Sequence, residues 1–227
     1  MIVSDDRRFP LPQVPFDFSF DEDSHTYTVT TSAIGRVPGC TRVLDHGGLV
    51  NFDFVNRDIL ERKSELGREV HKACHLHNQK KAFTFDPAVR GYLESWIATA
   101  RALRLVVRQS EHQSIALVHG MLYGMQIDVE GELPEGDAII DYKIGDIAPH
   151  HEIQVAGYAA GLYHPRLETP LGRFRTRKRI IVKLQEDGSL GKIHRCEDKS
   201  DFDTFTSALY TTYWKLKHAK FYRELTP

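Results

Sequence analysis

The chain has 227 residues, of which 41% are apolar and 27% charged, and its formal net charge is −1. That balance fits one globular domain with a sizeable core and leaves no segment that reads as disordered. Near-neutral charge singles out no partner, so contact with nucleic acid would need a local basic patch or cations that mask acidic residues.

The three cysteines, Cys40, Cys74 and Cys196, are far apart and no CxxC occurs. A structural zinc site or a four-cysteine iron–sulfur cluster is therefore not expected, and reduced thiols in a cytosolic setting are. The opening MIVSDDRRFPLPQVPFDF lacks the apolar centre of a secretory signal. No apolar run approaches the roughly 20 residues of a membrane helix.

In chain order, residues 1–20 read as a proline-containing arm. FDEDSHTYTVTTSAIG suggests a hairpin around Tyr27 and Val29, and CTRVLDHG a short helix or turn. From about Phe54 to Gln79 the period is helical, with Ile59, Leu66, Val70 and Ala73 on one stripe. Asp86 is the expected N-cap of a second helix reaching Leu103, with Val89, Tyr92, Leu93, Trp96 and Ile97 apolar.

The period then becomes two. Strands are expected at about 105–109, 112–119, 123–132 and 137–144, then a helix over about 150–163. A strand pair at about 176–185 and 190–195 and a helix over about 201–220 complete the chain. Residues 173–227 thus supply the C-terminal strands and helix of a single α/β domain, a central mixed sheet flanked by helices.

The run GDAIIDYKIG looks like a buried strand, yet it carries Asp141 and Lys143. Unpaired charges on such a strand are costly. In YGMQIDVEGEL, the odd positions are apolar and the even positions polar, which predicts one packed and one polar face. A short loop at Pro134-Glu135 would pair residues whose numbers sum to 269, setting Asp128 opposite Asp141. Opposed side chains lie roughly 4.5–5.5 Å apart at Cβ. Two carboxylates that close call for a neutralising group, and a hard divalent cation is the natural one. The alternative is a solvated hairpin face whose acids need no ion. Downstream, Gln154 and Tyr158 share a helical face at i, i+4. Upstream, His71 sits at the edge of the long helix's stripe, with Gly67 one turn earlier to admit close approach to the sheet; His75 and His77 read as surface residues.

In order and spacing these pieces resemble the PD-(D/E)XK nuclease superfamily, in particular its RecB-like and phage-type exonuclease branch. The matching stretches are GREVH with His71, Glu111 in a strand, GMQID with Asp128, IIDYK with Asp141 and Lys143, and QVAGY with Gln154 and Tyr158. The early FDEDSHTY and CTRVL stretches also resemble the N-terminal part of phage members, so the likeness spans about residues 20 to 160. Leu66-Gly67 stands where close members often have Arg-Gly, and the cluster cysteines of some relatives are missing.

The resemblance implies a Mg²⁺- or Mn²⁺-dependent deoxyribonuclease, an exonuclease of recombination, repair or phage DNA processing in a bacterial or phage-infected cytoplasm. Asp128, Asp141, His71 and the Tyr142 backbone carbonyl would hold the ion. Lys143 would orient water or stabilise phosphate charge, and a depressed pKa would let it act as base. Gln154 and Tyr158 would position it, and Glu111 would be a supporting or second-metal acid. DNA contact is expected at Arg68, Lys72, Arg173, Arg175, Arg177 and Arg179, the last four forming a stripe if RFRTRKRIIVK is a strand. A charged edge strand guarding against aggregation explains that stripe equally well. Recombination or replication proteins are possible partners, and no membrane is expected. The competing reading is a catalytically silent nuclease-fold module that binds DNA or protein; retention of both Asp141 and Lys143 counts against it.

Overall fold

The computed structural model describes residues 17–21, 26–30, 35–50, 57–162 and 177–221, with 57–60 and 221 described in their backbone alone. Most of the N-terminal arm, Arg173 and Arg175 lie outside these residues.

Strands β1 (Phe18–Asp21), β2 (Thr26–Val29) and β3 (Gly35–Val37) form a small antiparallel sheet. Helix α1 (Cys40–His46) follows, then α2 (Arg57–Asn78). Asp86 caps a 3₁₀ turn, Pro87–Val89, by accepting the Ala88 N–H, and α3 (Arg90–Ala102) continues from it. The single helix expected from Asp86 therefore opens with a tighter turn, where Pro87 supplies no N–H.

The main sheet has five strands in the order β4 (Val106–Val118), β5 (Met121–Leu133), β6 (Gly136–Lys143), β7 (Lys178–Lys183), β8 (Lys192–Arg195). All neighbours are antiparallel except β6 and β7, which are parallel. Helix α4 (Pro149–Gly161) follows β6, and α5 (Ser200–Lys217) follows β8. The protein is thus α/β, with a mixed sheet between two helical layers. Helices α1, α4 and α5 cover one face over Tyr123, Met125, Ile139 and Ile181. Helices α2 and α3 cover the other over Val129, Ile140, Tyr142 and Ile180. The small sheet packs Tyr27, Val29 and Val37 on Ile115 and Leu122. A Cβ at Gly124 would stand 2.1 Å from the Tyr27 ring, so only glycine admits that approach.

Three expectations change. The strands expected at 105–109 and 112–119 are one, β4. Its irregularities are a register shift between Val107 and Gln109 and a left-handed Glu111 (φ 49°). The polar face expected along β5 is not solvated: helices cover both faces of the sheet, and Asp128 and Glu130 are buried. Gly67 is not a close-approach residue, since a Cβ there would meet only Ile144 Cδ1 at 3.9 Å.

The hairpin register agrees with the sequence reading. Val129 faces Ile140 and Leu133 faces Gly136, across a two-residue turn at Pro134-Glu135. The ladder ends at Val129–Ile140, one pair short of Asp128 and Asp141.

Candidate metal centre

Asp128 sits where both ladders of β5 are interrupted. The pairs with β4 pass from His112–Ile127 to Ser110–Val129, leaving Glu111 and Asp128 between them. Strict alternation also fails there, for Ile127 packs under α4 and α5 while Val129 packs under α2 and α3. Glu111, across from Asp128, takes a backbone conformation that costs a non-glycine residue about 1–3 kcal/mol. This break in the sheet gathers the acids.

His71, on α2, places Nδ1 3.2 Å from Asp128 Oδ1 and 3.4 Å from Glu111 Oε1. The edge of its ring contacts Tyr142, centroids 5.3 Å apart. Tyr142 is held in turn by Asn78, which donates to its hydroxyl at 3.1 Å and accepts from Trp96 Nε1 at 2.9 Å. Asp128 Oδ2 accepts the Tyr142 backbone N–H at 2.7 Å. Gln126 donates to Glu111 Oε2. His71, Glu111 and Asp128 each offer a ligand atom, all within 4.8 Å of one another.

Asp141 and Lys143 lie beside this cluster. Lys143 Nζ is 2.6 Å from Asp141 Oδ2, and 3.4 Å from Gln154 Oε1, to which it donates. Gln154 Nε2 donates to the Tyr158 hydroxyl at 2.7 Å. The i, i+4 spacing on α4 thus carries a chain of polar contacts from Tyr158 to Asp141. Cys40 Sγ meets the Gln154 carbonyl at 3.7 Å from beneath.

The buried charges set one another's protonation. Burial lowers the basicity of His71, but Asp128 and Glu111 outweigh it and hold the imidazole up to about 10. Burial pushes Asp141 up to about 6; Lys143 opposes this and the charge of Asp128 adds to it. Burial raises Asp128, yet His71 and Lys143 hold it below its ordinary value. Burial works against the charge on Lys143, but Asp141 and Asp128 raise its pKa, so it is a cation here rather than a depressed base.

The donor set fits a divalent cation. Glu111 Oε1 is shielded from solvent, and its ion-pair contact with His71 Nδ1 is long, at 3.4 Å. Asp141 Oδ2 is equally shielded but meets Lys143 Nζ at 2.6 Å. A buried carboxylate oxygen as weakly paired as Glu111 Oε1 is costly, and a hard ion would satisfy it.

Of the residues singled out in the sequence, His71, Glu111 and Asp128 form the tightest group. Asp141, expected as a first ligand, is paired with Lys143 at its side. Glu111, expected as a supporting or second-metal acid, lies in the group itself. Gln126 and Asn78 were not anticipated. Gln126 is two residues before Asp128, so strand parity puts it on the same face as the acid and was the signal that could have found it.

Arg68 and Lys72 are exposed on either side of His71. Arg177 is half-buried. Arg179 does not belong to an exposed stripe. It is 4% exposed, bonds Asp201 Oδ2 at 2.7 Å and the carbonyls of Asp198 and Glu152, and lies over the Phe202 ring. The physical reason is that β7 is an interior strand covered by α4 and α5, while β8 is the edge.

All three cysteines are free and buried. No helix among the described residues is long and apolar enough to cross a membrane. No protein-family model matches the chain, and no curated protein matches it.

Proposed function

We propose that the chain is a Mg²⁺- or Mn²⁺-dependent deoxyribonuclease with a PD-(D/E)XK-type core. The observation that carries this reading is Lys143 held between Asp141 and Gln154, beside the group of His71, Glu111 and Asp128. The order GREVH, Glu111, GMQID, IIDYK and QVAGY, which resembles the phage-type exonuclease branch, supports it from the sequence side.

Glu111, Asp128 and His71 would hold the ion, with Asp141 and the Tyr142 peptide adjacent. When bound, the ion supplies electrophilic activation of the phosphate and a more acidic water. The protein's own groups orient the substrate. Lys143, charged and fixed by Gln154, is placed to pair with a phosphate oxygen as negative charge grows on it. Tyr158 fixes Gln154 and so fixes the lysine. Exposed Arg68 and Lys72 flank His71 and would meet the DNA backbone. Net hydrolysis adds the elements of water across one P–O bond. Exonuclease action on DNA, in recombination, repair or phage DNA processing, is the expectation from the resemblance.

The test is cleavage of labelled single- and double-stranded DNA with Mg²⁺, Mn²⁺ or EDTA, alongside Lys143→Ala. Cleavage should need metal and fall at least about 100-fold in the variant, while DNA binding persists. Equal degradation by both proteins would remove the reading.

A further inference from the structure

We propose that Glu152, His194 and Cys196 form a second metal site that takes Zn²⁺ and ties the start of α4 to the edge strand β8. The proposal does not depend on the nuclease reading.

Glu152 lies in the first turn of α4. His194 is in β8, and Cys196 extends its pairing, with the Cys196 N–H donating to the Arg179 carbonyl at 2.9 Å. Residues two apart on a strand share a face. Here that face is the one packed by α4, for Ile181, the partner of His194, and Cys196 both belong to the core under that helix. One oxygen, one nitrogen and one sulfur therefore converge, all within 4.8 Å of one another. Glu152 Oε1 and His194 Nε2 are 3.1 Å apart.

A tetrahedral zinc ion with bonds of about 2.0–2.3 Å keeps its ligand atoms roughly 3.3–3.8 Å apart. The three atoms need shift by no more than about 1 Å to reach that arrangement. A further observation points to a ligand. His194 Nε2 is shielded from solvent and, apart from its ion-pair contact with Glu152, meets no polar partner among the described residues. Cys196 is 5% exposed, and burial and then Glu152 raise the pKa of its thiol, so the ion must displace its proton. The nearby cation Arg179 is neutralised by Asp201 and does not oppose an incoming ion.

The ligand types select the metal. Sulfur, nitrogen and oxygen together suit a borderline-soft ion such as Zn²⁺, whereas Mg²⁺ prefers oxygen alone. Binding would break the S–H bond, form the S–Zn bond and release one proton to solvent. Three protein ligands leave a fourth position for water. The consequence is mechanical: β8 has only 4 residues, and α4 carries Gln154 and Tyr158. A staple here would fix the helix that positions Lys143.

Co²⁺ added to the full chain tests this, because thiolate ligation gives a sulfur-to-cobalt charge-transfer absorption that an oxygen and nitrogen site lacks. The band should appear at one equivalent, vanish when Zn²⁺ is added, persist in Asp128→Asn and be lost in Cys196→Ser. Co²⁺ binding with no such band, or a band that survives Cys196→Ser, would overturn the proposal. Should Cys196→Ser fail to fold, Glu152→Gln and His194→Ala decide, their side chains being 28% and 43% exposed. Each should weaken binding at least tenfold, and unchanged affinity in both would overturn the site. The cobalt absorption and metal affinity are read without DNA, so the two readings fail separately.

Discussion

Asp128 Oδ2 accepts the backbone N–H of Tyr142 at 2.7 Å, one pair beyond the end of the β5–β6 ladder. The carboxylate thus does the work of a missing strand partner while its other oxygen faces His71. Asp128→Ala would leave that buried N–H without an acceptor and should cost about 1–3 kcal/mol. Asp128→Asn keeps an acceptor and should cost less. It should also let the pKa of His71 fall from about 10, because its largest electrostatic support, the Asp128 charge, is gone. Chemical denaturation and an NMR titration of the His71 ring check both outcomes.

Metal binding should depend on pH through His71. Its folded-state pKa is raised to about 10, so the proton stabilises the metal-free fold fully below the ordinary value near 6.5 and less as pH rises through 10. A metal ligand must be the neutral imidazole. Mn²⁺ affinity should therefore rise about tenfold per pH unit between about pH 7 and 8.5. Asp141, at about 6, is already ionised over that range. Calorimetry in buffers of different ionisation enthalpy should show about one proton released. Flat affinity with no proton release would mean that His71 is not a ligand.

His151 gives the opposite sign. Its Nδ1 accepts the Ala148 N–H at 2.9 Å, and its own N–H donates back to the Ala148 carbonyl at 2.9 Å, closing the start of α4. Burial, then Lys143 and His150, push its pKa down to about 3. The unfolded chain takes up a proton near 6.5 and the folded chain does not. Stability from this residue is present above 6.5 and lost as pH falls from there toward about 3. His151→Gln should flatten that part of the pH dependence in thermal denaturation, relative to wild type.

Arg179 and the two exposed cations on α2 should separate stability from binding. Arg179→Met leaves Asp201 without its partner inside the protein and should cost about 3–5 kcal/mol. Arg68→Ala and Lys72→Ala replace exposed side chains and should leave stability within about 0.5 kcal/mol. If they meet phosphates, each should lower the salt dependence of duplex DNA affinity by about one unit of log–log slope. DNA affinity measured across a salt series, with Tm for each variant, reads both effects.

Local pattern carried much of the fold. The switch from a 3.6 to a 2 period placed α2, α3 and strands β5 to β8 close to their observed bounds, because burial on one helical or pleated face leaves that trace directly. Register was legible too. The Pro134-Glu135 turn and the parity of Ile140 and Tyr142 leave one pairing that keeps both in the core. Gln154 and Tyr158 were legible as a pair because helical geometry alone sets i, i+4 side by side.

The sequence by itself determined which residues carry charge on a strand that must be buried, and hence that Asp128, Asp141 and Lys143 belong to one place. Only the tertiary structure decided how they are shared out. The left-handed turn at Glu111 and the break in alternation at Asp128 bring Glu111 to His71 and leave Asp141 to Lys143. The same holds for Arg179. Its period-2 neighbours marked a stripe, but the order of strands put β7 inside the sheet and closed α5 over it. A strand's pattern records that its faces alternate. Which neighbour covers each face is settled by contacts far apart in the chain, such as Arg179 with Asp201 and Glu152 with His194.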